Sequence, residues 1–156
     1  MLRIALTAIL AGFTTSATAA EIHRFLGAER CGTCHVAQLQ AWKAGPHANA
    51  LRSLTQRQAD SPACASCHNM APEGPPELRG VQCESCHGPG RAYAPAAVMR
   101  DSVLAKLMGL ESVTPQTCAQ CHRGSAPGLG AFEYAETIQE VCTNRLPRGS
   151  EGPASQ

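Results

Sequence analysis

A pair of cysteines followed at once by a histidine recurs four times in a chain of 156 residues: Cys31, Cys34 and His35; Cys64, Cys67 and His68; Cys83, Cys86 and His87; Cys118, Cys121 and His122. With nine cysteines and six histidines in all, a shuffled chain would show C-x-x-C-H roughly 0.02 times. The four copies therefore share one purpose. A zinc ribbon uses C-x-x-C pairs but has no need of a histidine directly behind each one, and catalytic dithiols do not come in fours. Disulfide frameworks suit exported chains, yet they are not normally built on one fixed spacing repeated four times. Covalent attachment of haem uses all three residues. Cysteines at i and i+3 stand on one helical turn, so both sulfurs can bond the vinyl-derived carbons along one porphyrin edge. The next imidazole then reaches the iron as the proximal ligand. The motifs predict four covalently bound c-type haems, held through Cys31, Cys34, Cys64, Cys67, Cys83, Cys86, Cys118 and Cys121, with iron taken by His35, His68, His87 and His122.

The elements around these sites have little else to pack. Leu, Ile, Val and Phe together supply about 17% of the chain, below the level that normally builds a core. Disorder is the usual outcome of so low a content, but it comes with high net charge, and the formal net charge here is +1. Large apolar cofactors resolve the conflict by filling the interior themselves. The same near-neutral charge offers no basic field for nucleic acid. At the N-terminus Arg3, the apolar run Ile4 to Phe13 and the small residues Ala17-Thr18-Ala19-Ala20 read as a secretory signal peptide over 1–20. Ten apolar residues are too few to span a bilayer, which needs about twenty. The mature chain is expected to carry no membrane span and to sit in the periplasm.

The fold class expected is mostly α with little regular sheet, one tetrahaem domain over 21–145 and a disordered tail over 146–156. CGTCHVAQLQAWKAG from Cys31 reads as a helix ended by Gly45-Pro46, and HANALRSLTQRQA from His47 as a second, with Ala48, Leu51 and Leu54 on one face. Residues 71–80, rich in Pro and Gly, read as irregular. Pro95 to Leu110 sets Val98, Val103, Leu104 and Leu107 at near-helical spacing, and Phe132 to Arg145 sets Phe132, Ala135, Ile138, Val141 and Cys142 on one stripe. Gly88 and Gly90 would let backbone lie against a porphyrin face. Arg91 suits a haem propionate or plain solvent, and Trp42, the single tryptophan, is expected to pack on a haem.

The stretches CGTCHVAQLQAWKAGPHANALRSL and GVQCESCHGPGR resemble the tetrahaem cytochrome c554 family, and the likeness runs from about Cys31 to Glu140. The resemblance implies a mostly helical fold with haems in closely stacked pairs, electron carriage in the bacterial periplasm, and partner oxidoreductases as donors and acceptors. It also implies that His47 is a distal ligand to a haem other than its sequence neighbour. The family pattern has a further distal histidine after the third motif, where this chain reads AYAPAAVMRDS, and another near the C-terminus, where it reads EVCTNR.

Beyond the four motif histidines only His23 and His47 remain, so at most two irons can carry two histidines. Candidates for the others are Met70, Met99, Met108, Cys142, Lys43, Lys106, water or an open position. Met70 follows its own motif histidine too closely to reach the opposite face of that ring. His23 is a candidate distal ligand or a solvated terminal residue, and Cys142, the ninth cysteine, a small buried hydrophobe, an intermolecular disulfide partner or a thiolate ligand. The function expected is electron transfer between redox partners, without enzymatic activity. The alternative is a haem enzyme acting on a small nitrogen or oxygen species at an open iron, although no distal acid or base stands beside a motif.

Overall fold

The computed structural model describes residues 24–123, 132–135 and 138. Within them the chain folds as short helices and turns, with no strand. In chain order these are α1 (Ala28–Gly32), α2 (Val36–Ala44), 3-10 turns at Pro46–Asn49 and Leu51–Ser53, α3 (Gln56–Ala59) and α4 (Pro62–His68). A 3-10 turn at Pro76–Leu78 follows, then α5 (Glu84–His87), α6 (Ala96–Met99), α7 (Ser102–Leu107) and α8 (Pro115–Ala119).

Local chemistry breaks the chain into pieces this short. The expected helix from Cys31 is two helices. Thr33 Oγ1 donates to the Arg30 carbonyl at 2.8 Å, and His35 leaves helical geometry at φ −103°, ψ 57° before α2 starts. The expected helix from His47 is two 3-10 turns and α3. Leu54 is extended, and Thr55 opens α3 with a capping box to Gln58, which satisfies free N–H groups and starts a new axis. The expected helix over 95–110 is likewise split at Asp101, whose carboxylate accepts from the N–H groups of Val103 and Leu104. Its apolar stripe also fails: Val103 is 67% and Leu107 79% exposed, while Ala105 takes the burial at 1%. Residues 71–80 are irregular apart from the one 3-10 turn, as their composition predicts. The signal peptide, the 146–156 tail and most of the stripe from Phe132 lie outside the described residues.

Among the described residues the buried apolar ones are Ala28, Leu39, Ala65, Ala71, Leu78, Tyr93 and Ala105. Four alanines, two leucines and a tyrosine bury little area, and polar side chains supply much of the cohesion. The Glu84 carboxylate, 3% exposed, accepts from the backbone N–H of Leu26 at 3.0 Å, Gly27 at 2.8 Å and Gly90 at 2.6 Å. Gln82 accepts from Ala28 N–H at 2.6 Å and donates to the carbonyls of Glu77 and Arg79, each at 2.9 Å. The bonds to the Glu84 carboxylate are charge-assisted, the strong kind, and with the neutral bonds of Gln82 they tie the segment before the first motif onto the third.

Candidate haem sites

Each motif is wound into one turn. The histidine N–H reaches the carbonyl of the first cysteine at 3.0 Å in the first motif, 3.0 Å in the third and 2.9 Å in the fourth, while Cys64, Cys67 and His68 all lie within α4. Ser61 holds the N-cap position of that helix and Pro62 opens it, and a Thr114–Thr117 capping box with Pro115 starts α8, so two motifs owe their turn to a proline preset for the first helical position.

The motifs meet in pairs. Cys31 and Cys83 are hydrogen-bonded thiol to thiol, and that contact, with burial and the neighbouring Glu84 carboxylate, pushes the Cys31 thiol far above the usual range. Burial and a bond to Cys67 push Cys121 up to about 12. The backbones cross as well: Cys121 Sγ faces the Cys67 carbonyl and Cys67 Sγ the Gln120 carbonyl, both at 3.9 Å. First with third and second with fourth is therefore the arrangement, although 52 and 54 residues separate the opening cysteines of each pair. Seven of the eight motif cysteines are half-buried and Cys34 is exposed. No three His, Cys, Asp or Glu side chains converge as a bare metal site among the described residues.

A cavity of about 480 Å³ lies between the first and third motifs, lined by Cys31, His35, Cys83, Cys86 and His87. Trp42, Val81, Tyr93, Met99 and Leu110 give it an apolar wall. Size and lining are those of a cofactor pocket. Trp42 donates Nε1–H to the Val81 carbonyl at 2.9 Å, and Tyr93 donates its hydroxyl to the Gly88 carbonyl at 2.8 Å, so both polar tips are used and the apolar faces remain for the cavity.

Two motif histidines are oriented by carbonyls. His68 Nδ1 stands 2.7 Å from the Ala50 carbonyl and His87 Nδ1 3.3 Å from that of Glu111. A carbonyl only accepts, so Nδ1 carries the proton and Nε2 keeps its lone pair, the arrangement metal-binding histidines share. His47 is half-buried, and its ring lies 6.0 Å from that of His122 at 76° between planes. Imidazole nitrogens bind first-row metals at about 2 Å, so two rings on opposite sides of one ion stand roughly 6 Å apart. Burial, and then the nearby His122, push the His47 pKa down, which keeps the ring neutral as a ligand must be. Phe132 stacks on His122 at 4.3 Å and 29°. The donor set, ring spacing and apolar cavity all fit haem.

The remaining expectations divide. Gly88 and Gly90 answer to the chain's own atoms. Gly88 has φ +75° and a Cβ there would sit 2.9 Å from the Gly109 carbonyl, while one on Gly90 would meet Glu84 Oε1 at 3.0 Å. Arg91 is exposed and its N–H bonds the Arg24 carbonyl at 3.1 Å. Lys43 pairs with Glu29 at 2.7 Å. Lys106 is exposed, as is Met108 at 43%, and Met70 is half-buried. His23 and Cys142 lie outside the described residues. The Glu84 and Gln82 clamps, the Phe132 stack and the orienting carbonyls of Ala50 and Glu111 carry no sequence signature.

An all-helical described chain that folds four C-x-x-C-H turns against one another in pairs defines a multihaem c-type cytochrome. The family profile described as cytochrome c554 and c-prime matches residues 30–88. Cytochrome c-554 of Nitrosomonas europaea is 38% identical over 94 residues, an alignment covering 44% of this chain and 40% of that protein. The reduced-state structure of cytochrome c554 from Nitrosomonas europaea superposes with a TM-score of 0.55 at 28% identity, over 76% of this chain and 83% of that one. Over residues 30–88 the chain is similar to the cytochrome c554 family. The curated relative is matched over less than half its own length, and no helix among the described residues is long and apolar enough to cross a membrane.

Proposed function

We propose that the protein is a periplasmic four-haem electron carrier, exchanging electrons with donor and acceptor redox proteins. The observation that carries this reading is the pairing of motifs, Cys31 against Cys83 and Cys121 against Cys67, which would bring the attached cofactors edge to edge or face to face in twos. Bound haem supplies one-electron exchange at iron, with a potential set by axial ligand, burial and nearby charge.

The chain's part is to hold and insulate. Cys31, Cys34, Cys64, Cys67, Cys83, Cys86, Cys118 and Cys121 would form the thioether attachments, and His35, His68, His87 and His122 would supply the proximal ligands. His47 and His122, with rings 6.0 Å apart, would together hold the iron of the fourth motif. The carbonyls of Ala50 and Glu111 fix the tautomers of His68 and His87. Trp42, Tyr93 and Leu110 keep water from the first and third cofactors.

Stopped-flow mixing of the oxidised holoprotein with a reduced donor tests the reading. All four haems should reduce in one fast, donor-limited process and reoxidise on mixing with an acceptor protein, without any small-molecule substrate. Reduction of only one or two haems on that timescale would defeat it.

A further inference from the structure

The ligand count leaves irons short of histidine. Six histidines are present, four follow cysteine pairs, and His47 faces His122. Three histidines line the cavity between the first and third motifs: His35 and His87 from the motifs themselves, and His47, whose ring also stands 6.0 Å from that of His122. Met99 lines it as well. It stands at the C-terminal end of α6, half-buried, with its N–H spent on the Pro95 carbonyl at 3.0 Å. Of the other polar side chains on that wall, the Gln82 amide bonds Ala28, Glu77 and Arg79, and the Tyr93 hydroxyl bonds Gly88. Neither Met70 nor Met108, nor either candidate lysine, lines the cavity.

We propose that Met99 supplies its thioether sulfur as the distal axial ligand of one of the two irons bound by the first and third motifs. The inference rests on the four-haem reading above. A thioether opposite histidine raises an iron's potential relative to two histidines. One member of the first–third pair is then the high-potential site, where an electron entering the pair comes to rest.

The test uses full-length holoprotein from cells able to attach c-type haem, and begins with intact mass. Fewer than four haems would defeat the four-haem reading and leave Met99 no iron to serve. With four present, the oxidised protein should show the sulfur-to-iron charge-transfer band at the red edge of the visible spectrum. Met99→Leu should lose that band and lower the highest of the four potentials. Met99→His should lose the band, keep low-spin iron and lower the same potential. Met70→Leu and Met108→Leu should leave both unchanged. If Met99→Leu fails to assemble, the wild-type band, its survival in the other two leucine variants and its loss in Met99→His still assign the sulfur. Four haems without the band, or a band that outlasts either Met99 substitution, would overturn the proposal.

Discussion

The half of the molecule built around the first and third motifs is held differently from the half built around the second and fourth. In the first, Glu84 and Gln82 lace residues 26–28 to the third motif through buried bonds as short as 2.6 Å, and Trp42 and Tyr93 pin the walls of the cavity. In the second, the motifs meet through a Cys67–Cys121 bond and sulfur–carbonyl approaches of 3.9 Å, and order comes from the His68–Ala50 bond, local caps at Thr55 and Thr114 and ring contacts to His122. The lesson is that polypeptide hydrogen bonding defines one pair of sites, while the other depends more on what its histidines and cysteines bind.

Removing both thiols of the third motif, Cys83→Ala with Cys86→Ala, should have the largest effect. One haem is lost, and with it stability on the order of the ~5–15 kcal/mol a whole domain has. Hydrogen exchange should show residues 24–44 and 80–112 unprotected, and intact protection there would break the contrast. Glu84→Ala comes next. It strands the N–H groups of Leu26, Gly27 and Gly90, each costing about 1–3 kcal/mol, for a loss of roughly 3 kcal/mol or more in chemical denaturation. Glu84→Gln should lose about half of that. Gly88→Ala forces a side chain into φ +75° against the Gly109 carbonyl and should cost about 1–3 kcal/mol, read as a shifted unfolding midpoint. Smallest is Phe132→Leu, which gives up the stack on His122 at about 0.5–1.5 kcal/mol. It should alter the spectrum of the fourth haem alone.

The sequence carried the chemistry of the site and little of its assembly. Four repeats of C-x-x-C-H were visible because attachment needs its three residues adjacent in the chain. The pairing of Cys31 with Cys83 was not, since no periodicity links positions 52 apart. Glu84 and Ser85 occupy the variable positions of a motif, where polar residues read as solvent-facing, yet Glu84 is the most connected side chain in the core. Apolar spacing around Leu51 and Val103 looks continuous and implies longer helices than form, because Thr55 and Asp101 cap new helices inside each run. His47 was singled out by family likeness, and its place beside His122 depends on a fold that brings residues 75 apart together.

The most direct test of the two-plus-two arrangement is a crystal structure of the holoprotein with irons located by anomalous scattering. The account predicts four iron peaks in two close pairs, one pair at the first and third motifs and one at the second and fourth, with a peak lying between His47 and His122. Irons of the first and third motifs far apart, or no iron between those two rings, would contradict it.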